Sequence, residues 1–226
     1  MTAPSGRPAP SDHSALDCYQ AALRSARHKT DSGWTLRHRD GPPTPLPLHD
    51  WCGGTIAGDA ALLSHCTGPT LDVGCGPGRI TEALTLRGLP ALGIDIAAEA
   101  VRQCLDRGAA ALHRDIFDPI PGEGRWRHVV LADGNLGIGG QPHRLLRRIR
   151  QLIDTGGTVI CETLPPDAPL RCHTLRLEHA DRVSDWFPWA QGGVDAVAQL
   201  GPNVGLHLSH IWTAAGRWFI EFESDT

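Results

Sequence analysis

The chain has 226 residues, of which 41% are hydrophobic and 20% charged, a composition typical of a single globular α/β domain. Its formal net charge of −4 excludes the strong positive field with which proteins collect nucleic acid or anionic membrane. No apolar stretch approaches the roughly 18 residues that a membrane span needs. We therefore expect neither a nucleic-acid partner nor a membrane partner.

The cysteines and the amino-terminal stretch indicate the compartment. The seven cysteines are scattered and include no C-x-x-C pair, as is typical of reduced thiols. The opening MTAPSGRPAPSD lacks the apolar segment of a secretory signal, so we expect a cytoplasmic protein whose residues 1–13 form a flexible arm. The twelve histidines form neither H-x-x-x-H nor HExxH, and we predict no metal site.

Residues 14–54 are predicted to form an N-terminal cap ahead of the main sheet. Apolar residues recur at helical spacing from Ser14 to His28, and either Asp12 or Ser14 can cap that helix. Asp40-Gly41 predicts the turn of a short hairpin. The prolines that follow favour an edge position for its second strand.

Strand and helix patterns alternate over residues 55–162. The predicted strands cover residues 70–74, 91–96, 110–117, 128–133 and 156–162. In the helix after the second strand Val101, Cys104 and Leu105 are predicted to face inward, and Pro142 suits the first position of a later helix. Such alternation requires right-handed crossovers, so we predict an α/β fold with a doubly wound, mostly parallel, seven-stranded sheet.

After Glu162 the alternation stops, and we predict a hairpin insertion over residues 163–193. Its arms flank a turn at His179-Ala180-Asp181, and the aromatic block DWFPW then leads to a flexible joint at Gly192-Gly193. Residues 194–226 predict a helix and two strands that complete the sheet with an antiparallel edge. Residues 14–226 are therefore expected to form one domain.

The stretch TLDVGCGPGRI places glycines at positions 74, 76 and 78, directly after the first strand of this alternation. The dinucleotide fingerprint G-x-G-x-x-G would need its third glycine at position 79, which is Arg79. A P-loop needs a lysine that the stretch lacks. A sulfonium cofactor needs only a tight backbone turn and an acid just before it, which Asp72 supplies. Taken alone, the glycines also fit a close strand-to-helix turn with no ligand.

Acidic residues follow the next three predicted strands as well. Asp95, Asp115 and Asp133 come at the ends of strands whose carboxyl edges meet at the crevice where open α/β sheets bind ligands. Aspartate also caps strand-to-helix turns, so one or two such acids would be unremarkable. Four of them beside the glycine turn favour a nucleotide-like ligand.

The glycine turn, the acid after the second strand and the Asp-Ile pair after the third resemble class I S-adenosylmethionine-dependent methyltransferases over roughly residues 55–162. The wider chain is similar to small bacterial methyltransferase-domain proteins. The resemblance implies that the cofactor is S-adenosyl-L-methionine. It also implies which residues contact each part of the cofactor: Gly74, Gly76, Gly78, Asp72 and Asp133 at the methionine end, Asp95 at the ribose, and Asp115, Ile96 and Ile116 at the adenine.

The segment ADGNLGIGGQP after the fourth strand borders the transferable methyl in this family. It lacks the Asn-Pro-Pro-aromatic motif of nucleic-acid methylases, so we predict methyl transfer to a small molecule. Asp133 and Asn135 are the candidate catalytic residues, although Asn135 equally fits a role in shaping a glycine-rich turn. The sequence does not choose a general base among the histidines at positions 38, 113, 143, 173 and 179. A base is also not required where positioning donor and acceptor in line supplies most of the acceleration.

Tryptophans at positions 34, 186 and 189 are candidate residues of a lid over the acceptor, because segments outside the core commonly cover the site in this family. The alternative is that they anchor the insertion or form a homodimer contact. Two other functions stay open at this point. The same cofactor could be cyclised or cleaved without an acceptor, or the chain could be a non-catalytic cofactor-binding partner protein.

Overall fold

The computed structural model describes residues 11–27, 33–180 and 182–225. Within these residues the strands are β1 (Ser11–His13), β2 (Thr35–His38), β3 (Pro43–Pro45), β4 (Thr70–Val73), β5 (Ala91–Asp95), β6 (Ala111–His113), β7 (Trp126–Leu131), β8 (Ile153–Thr163), β9 (Arg171–His179), β10 (Arg182–Ser184), β11 (Phe187–Gln191), β12 (Leu206–Ala214) and β13 (Arg217–Ser224). The helices are α1 (Ala15–Arg27), α2 (Leu48–Cys52), α3 (Asp59–Ser64), α4 (Arg79–Leu86), α5 (Ala98–Asp106), α6 (Pro142–Leu152) and α7 (Val194–Ala198), with 3₁₀ turns at Asn135–Gly140 and Pro202–Val204. No helix in the described ranges is long and apolar enough to cross a membrane.

The main sheet has seven strands in the order β12-β13-β8-β7-β4-β5-β6. Strands β4 to β8 pair in parallel, and β13 runs antiparallel to both of its neighbours. The order reverses direction beside β4, which creates the crevice where such sheets bind ligands. The predicted doubly wound, mostly parallel sheet is confirmed.

Alternating side chains of β7 give the main sheet its two buried faces. Val129 and Leu131 belong to the cluster that includes the fully buried stripe of α6, whereas Val130 belongs to the cluster with α3 and α4. This two-residue alternation is what a strand covered on both faces requires. Burial on both faces therefore fixes the strand register at the crevice.

A second sheet combines segments from before and after the main sheet, in the order β1-β10-β9-β2-β3, with β11 also paired to β9. The predicted Asp40-Gly41 turn joins β2 to β3, and β3 lies at the edge, as its prolines require. Strand β2 pairs antiparallel with β9, so that Leu36 lies opposite Leu177. The N-terminal hairpin and the insertion after β8 are therefore parts of one layer.

Three local predictions were wrong. Residues 11–13 do not belong to an arm, because they pair in parallel with β10; residues 1–10 lie outside the described residues. Leu105 is 52% exposed, because the buried face of α5 is centred on Ala100 and Cys104. The third strand ends at His113, two residues before Asp115. Of the two residues that could cap the first helix, Ser14 is the N-cap in the structure, because its Oγ accepts a hydrogen bond from the Asp17 amide at 3.0 Å.

Candidate functional site

A cavity of about 600 Å³ lies between the two sheets, at the carboxyl ends of β4, β5 and β7. Its floor is the glycine loop after β4 together with the loops after β5, β6 and β7. Its other walls come from α1, from the N-terminal hairpin and from β9 and β11 of the second sheet. Most of the sequence-predicted cofactor residues line this cavity: Asp72, Gly74, Gly76, Asp95, Ile96, Asp115, Ile116 and Asp133.

The glycine loop turns sharply because its three glycines adopt positive φ angles of 72°, 53° and 92° at positions 74, 76 and 78. A Cβ atom at Gly74 would lie 2.7 Å from Asn135 Nδ2, and one at Gly78 would lie 2.4 Å from Cys104 Sγ. Gly78 is not among the residues that line the cavity, and its contact with the cofactor stays a prediction. Its role is to let the start of α4 pack closely against α5.

Replacing Gly78 with alanine is expected to destabilise the fold by about 3 kcal/mol or more. A left-handed backbone costs an L-residue about 1–2 kcal/mol, and forcing a methyl into a packed site adds about 1–3 kcal/mol. Gly88→Ala is the matched control, since its φ is 77° but no atom lies within 4 Å of the added Cβ. Urea denaturation of both variants measures the difference, and equal losses would contradict the packing role of Gly78.

Asp72 lies at the end of β4 with only 2% of its surface exposed. Its Oδ2 accepts a hydrogen bond from Thr81 Oγ1 at 2.7 Å. Burial raises the pKa of this carboxyl to about 7, because the charged form loses its hydration. The site thus holds a carboxyl that a cationic ligand group would help to ionise.

Asp95 holds the glycine loop and the start of α5 together. Its Oδ2 accepts the Gly76 amide at 2.9 Å, and its Oδ1 accepts the Ala97 amide at 2.8 Å. Burial raises the pKa of this carboxyl, although the two amides favour the charged form. Each oxygen keeps a second acceptor direction, so the carboxylate can still accept hydroxyl protons from a ligand.

The loops after β5 and β6 contribute two isoleucines and one exposed acid to the cavity lining. Ile96 is 50% exposed although it lines the cavity, whereas Ile116 is buried. Asp115 is exposed, and its Oδ1 accepts the Phe117 amide at 2.9 Å. This hydrogen bond fixes the orientation of the carboxylate.

Asp133 has a left-handed backbone (φ 52°), and Arg79 contacts both of its carboxylate oxygens, at 2.7 and 2.6 Å. Arg79 is 3% exposed and also pairs with the fully buried Asp59. Arg217 contacts Asp59 at 2.7 Å and Glu162 at 2.7 Å. Burial opposes ionisation of Asp59, but the bonds to the two arginines hold its pKa below the ordinary value.

This ion-pair network was missed by the sequence reasoning. The sequence predicts Arg79 only as the start of a helix, at the position where a dinucleotide fingerprint would need glycine, and it places Arg217 in one of the last two strands. A signal was available for Arg79, because an arginine directly after a glycine turn has its guanidinium close to the strand ends. Burial raises the pKa of Asp133, and the charge and hydrogen bonds of Arg79 oppose that effect. The carboxyl next to the cavity is thus held tightly by Arg79.

Asn135 begins the 3₁₀ turn after β7 and braces the glycine loop. Its Nδ2 donates to the carbonyl oxygens of Val73 at 3.0 Å and Gly74 at 2.9 Å. The amide nitrogen is therefore used within the protein, and the side-chain oxygen is the group left for a ligand. The sequence left open whether Asn135 orients an acceptor or shapes a turn, and these contacts support the turn-shaping role.

The structure separates the three candidate lid tryptophans. Trp189 lines the cavity and packs against the turn at Gly137, where an added Cβ would lie 2.3 Å from its Nε1. Trp186 does not line the cavity, because its ring lies beside the guanidinium groups of Arg39 and Arg176. Trp34 also lies outside the cavity lining and is a packing residue, 3% exposed and stacked on His179.

The Gly192-Gly193 pair was predicted as a flexible joint, and this prediction was wrong. A Cβ at Gly193 would lie 2.3 Å from the Pro165 carbonyl oxygen, and one at Gly192 would lie 2.8 Å from Leu170. The Gly193 amide also donates to the Ala168 carbonyl at 2.9 Å. Both glycines are therefore required by close packing.

Comparisons with known proteins match part of the chain to a methyltransferase domain. Residues 70–157 match the model of a methyltransferase domain. A ubiquinone biosynthesis O-methyltransferase from Methylococcus capsulatus is 32% identical over 127 residues, which cover 52% of each chain. The chain thus aligns with about half the length of that curated relative.

Two solved structures are similar over nearly the whole chain. A SAM-dependent methyltransferase from Bacteroides fragilis, in complex with S-adenosyl-L-homocysteine, superposes with a TM-score of 0.80 at 17% identity, covering 95% of this chain and 97% of that one. The 1,6-didemethyltoxoflavin-N1-methyltransferase from Burkholderia thailandensis gives a TM-score of 0.61 at 17% identity, with coverage of 99% and 95%. At these identities the likeness shows a shared fold.

Proposed function

We propose that the chain is a class I S-adenosylmethionine-dependent methyltransferase and that it transfers the cofactor's methyl group to a small, flat, mainly apolar molecule. One observation carries the proposal. The cavity between the sheets has an acid-lined half at the strand ends and an apolar half under the second sheet. The first half suits the cofactor, and the second suits an acceptor.

The acid-lined half fits S-adenosylmethionine group by group. Asp72 would accept from the cationic amino group, Asp95 from the ribose hydroxyls and Asp115 from the adenine amine. Ile96 and Ile116 would contact the two faces of the adenine, and the backbone at Gly74 and Gly76 would support the methionine part. When bound, the cofactor supplies a methyl group on a positively charged sulfur, which is open to attack by a nucleophile.

The apolar half, which we call the acceptor compartment, is lined by side chains of the N-terminal cap and the second sheet: Leu36, Leu46, Leu175, Leu177, Phe187 and Trp189. Leucines and aromatic rings favour a flat, uncharged molecule, because a charged one would lose its hydration there. The Burkholderia enzyme was solved with 1,6-didemethyltoxoflavin bound, which supports a small-molecule acceptor.

Asp133 and Asn135 are the proposed residues nearest to the reaction. Asp133 lines the cavity as a carboxyl oriented by Arg79, and we infer that it accepts a hydrogen bond or a proton from the acceptor. Asn135 acts as a positioning residue through the loop that it braces. No histidine among the described residues lines the cavity, so holding donor and acceptor in line carries most of the catalysis.

The binding test is calorimetric titration with S-adenosylhomocysteine, where we expect one site per chain. Asp95→Ala should weaken binding at least tenfold, since hydrogen bonds to a charged group are worth about 1.5–3 kcal/mol each. The exposed Asp118→Ala should leave the affinity unchanged. Binding of NAD with no binding of S-adenosylhomocysteine would overturn the assignment.

The activity test separates methyl transfer from other uses of the cofactor. With S-adenosylmethionine and a panel of hydroxylated and nitrogen-containing aromatic compounds, we expect release of S-adenosylhomocysteine that depends on the acceptor. Methylthioadenosine formed without any acceptor would indicate cyclisation or cleavage instead. Cofactor binding with neither product would indicate a non-catalytic binding protein.

Two tryptophans only three residues apart test the lid. Trp189→Ala should lower turnover at least tenfold with little change in S-adenosylhomocysteine affinity, because Trp189 lines the acceptor compartment. Trp186→Ala should leave turnover near the wild-type value, since its ring packs against Arg39 and Arg176 outside the cavity. If both variants lose turnover equally, the segment acts through its overall packing, and Trp189 has no specific role at the acceptor.

A further inference from the structure

A cluster of two histidines and one glutamate lies outside the cavity, where α3 meets the antiparallel edge of the main sheet. His65 follows the last turn of α3, His210 lies in β12 and Glu221 lies in β13. None of the three lines the cavity. From their geometry we propose that His65, His210 and Glu221 bind one zinc ion.

The distances within the cluster suit a common metal ion. Glu221 Oε2 lies 2.8 Å from His65 Nδ1 and 3.3 Å from His210 Nδ1, and one potential ligand atom from each residue lies within 4.8 Å of the others. Tetrahedral zinc with bonds of about 2.0–2.2 Å separates its ligand atoms by roughly 3.3–3.6 Å. Side-chain shifts of a few tenths of an ångström to about 1 Å therefore suffice.

The protein holds each of these groups in position. A register shift in the β12–β13 ladder between Leu208 and His210 leaves His210 directly opposite Glu221. The His65 ring stacks on Trp212, with centroids 3.8 Å apart and an interplanar angle of 2°. A ligand set that is already oriented loses little side-chain freedom when the ion binds.

The charge balance also favours a cation. Glu221 is 5% exposed, and in the described part of the chain its ion pairs are with His65 and His210 alone. A buried carboxylate needs a compensating positive charge, which a bound cation supplies. Imidazole nitrogens with one carboxylate suit zinc, whereas calcium and magnesium prefer all-oxygen sites.

The fourth position of the site faces solvent, because 65% of the His210 side chain is exposed. A three-residue set with one open position accepts water as the fourth ligand. The site would clamp α3 to β12 and β13, and it is separate from the cofactor site. It departs from the expectation of no metal, because His65 is distant in sequence from the hairpin that carries the other two ligands, and a spacing motif does not detect such a set.

The test uses the untagged chain, freed of metal with a chelator and titrated with Zn²⁺ by calorimetry and with Co²⁺ by visible absorption. We expect one equivalent bound, with the intense visible bands of a tetrahedral Co²⁺ site. His210→Ala and Glu221→Gln should each weaken Zn²⁺ binding at least tenfold. His207→Ala is the matched control, because His207 lies in the same strand but pairs with Asp225.

The readouts distinguish this site from the cofactor site. His210 is exposed, so its variant is expected to keep the fold, which circular dichroism checks. Zn²⁺ should raise the melting temperature of the wild type and the His207 variant, but not that of the His210 variant. Less than one equivalent bound by the wild type, or equal weakening in the His207 and His210 variants, would overturn the proposal. So would a Zn²⁺-dependent change in S-adenosylhomocysteine affinity.

Discussion

Asp72→Asn is expected to stabilise the cofactor-free protein at pH 8 by up to about 4 kcal/mol. The folded state raises the pKa of this carboxyl from 3.8 to about 7, and each unit of difference corresponds to about 1.36 kcal/mol. Above pH 7 the wild type therefore carries a buried, ionised carboxylate at a cost that asparagine avoids. Asparagine keeps an oxygen that can accept the Thr81 hydroxyl.

The sign of the pH dependence follows from the raised pKa. Below about pH 4 the carboxyl is protonated in both states, and its contribution to stability is fully present. As pH rises from 4 to 7 the unfolded state ionises first, so this contribution is progressively lost. The free-energy difference between Asp72→Asn and wild type should therefore grow over that interval and level off above pH 7.

Urea denaturation at several pH values, compared between wild type and variant, measures this difference, because other titrating groups cancel in it. The exposed Asp118→Asn serves as the control and should show no such trend. Asp72→Asn should also weaken S-adenosylhomocysteine binding tenfold or more, because it removes a charge-assisted hydrogen bond worth about 1.5–3 kcal/mol. A stability difference that does not vary with pH would contradict the raised pKa.

Arg79→Met is expected to destabilise the protein by about 3–5 kcal/mol, the usual range for removing one partner of a buried ion pair. Asp59 is fully buried and would keep only the contacts with Arg217 and the Ile56 amide. Asp133 would lose the guanidinium that contacts both of its oxygens. Methionine fills much of the same volume, so the loss reports charge and not a cavity.

A second substitution separates these causes. Asp59→Asn in the Arg79→Met background should recover part of the lost stability, because it removes one of the orphaned charges. Arg147→Met, on the exposed face of α6, is the control and should change stability by less than about 0.5 kcal/mol. A double variant that is less stable than Arg79→Met would show that the uncompensated Asp59 charge is not the main cause of the loss.

Periodic and local signals in the sequence were enough to predict the strands and helices of the main sheet. Apolar runs of four to six residues and the stripe of α6 each depend on neighbours along the chain, and the structure confirms them. The acids after the strands could also be placed, since the carboxyl ends of parallel strands meet at one edge. The end of the third predicted strand, near Asp115, could not be predicted. Where a strand ends depends on its partner strand, and β6 pairs with β5 for only three residues.

Contacts between distant segments could not be predicted. Nothing near Trp34 or Trp186 in the sequence distinguishes them from Trp189, yet of these three only Trp189 lines the cavity, because the packing of distant segments decides which rings turn inward. The pairing of Arg79 with Asp59 and the meeting of His65 with Glu221 likewise depend on where elements pack. A lone charged residue carries no local sign of its partner.

The pairing of β2 with β9 has a consequence for the order of folding. Arg37 and Glu178, which pair across this ladder, are 141 residues apart in the sequence. Closing so long a loop in an unfolded chain costs conformational entropy before any contact compensates. Once the seven-stranded sheet has formed, it holds the two segments near each other, so pairing β2 with β9 then costs much less conformational entropy. We therefore expect the layer over the cavity to form after the main sheet, so that the half of the site that would bind the cofactor takes shape before the half that would select the acceptor.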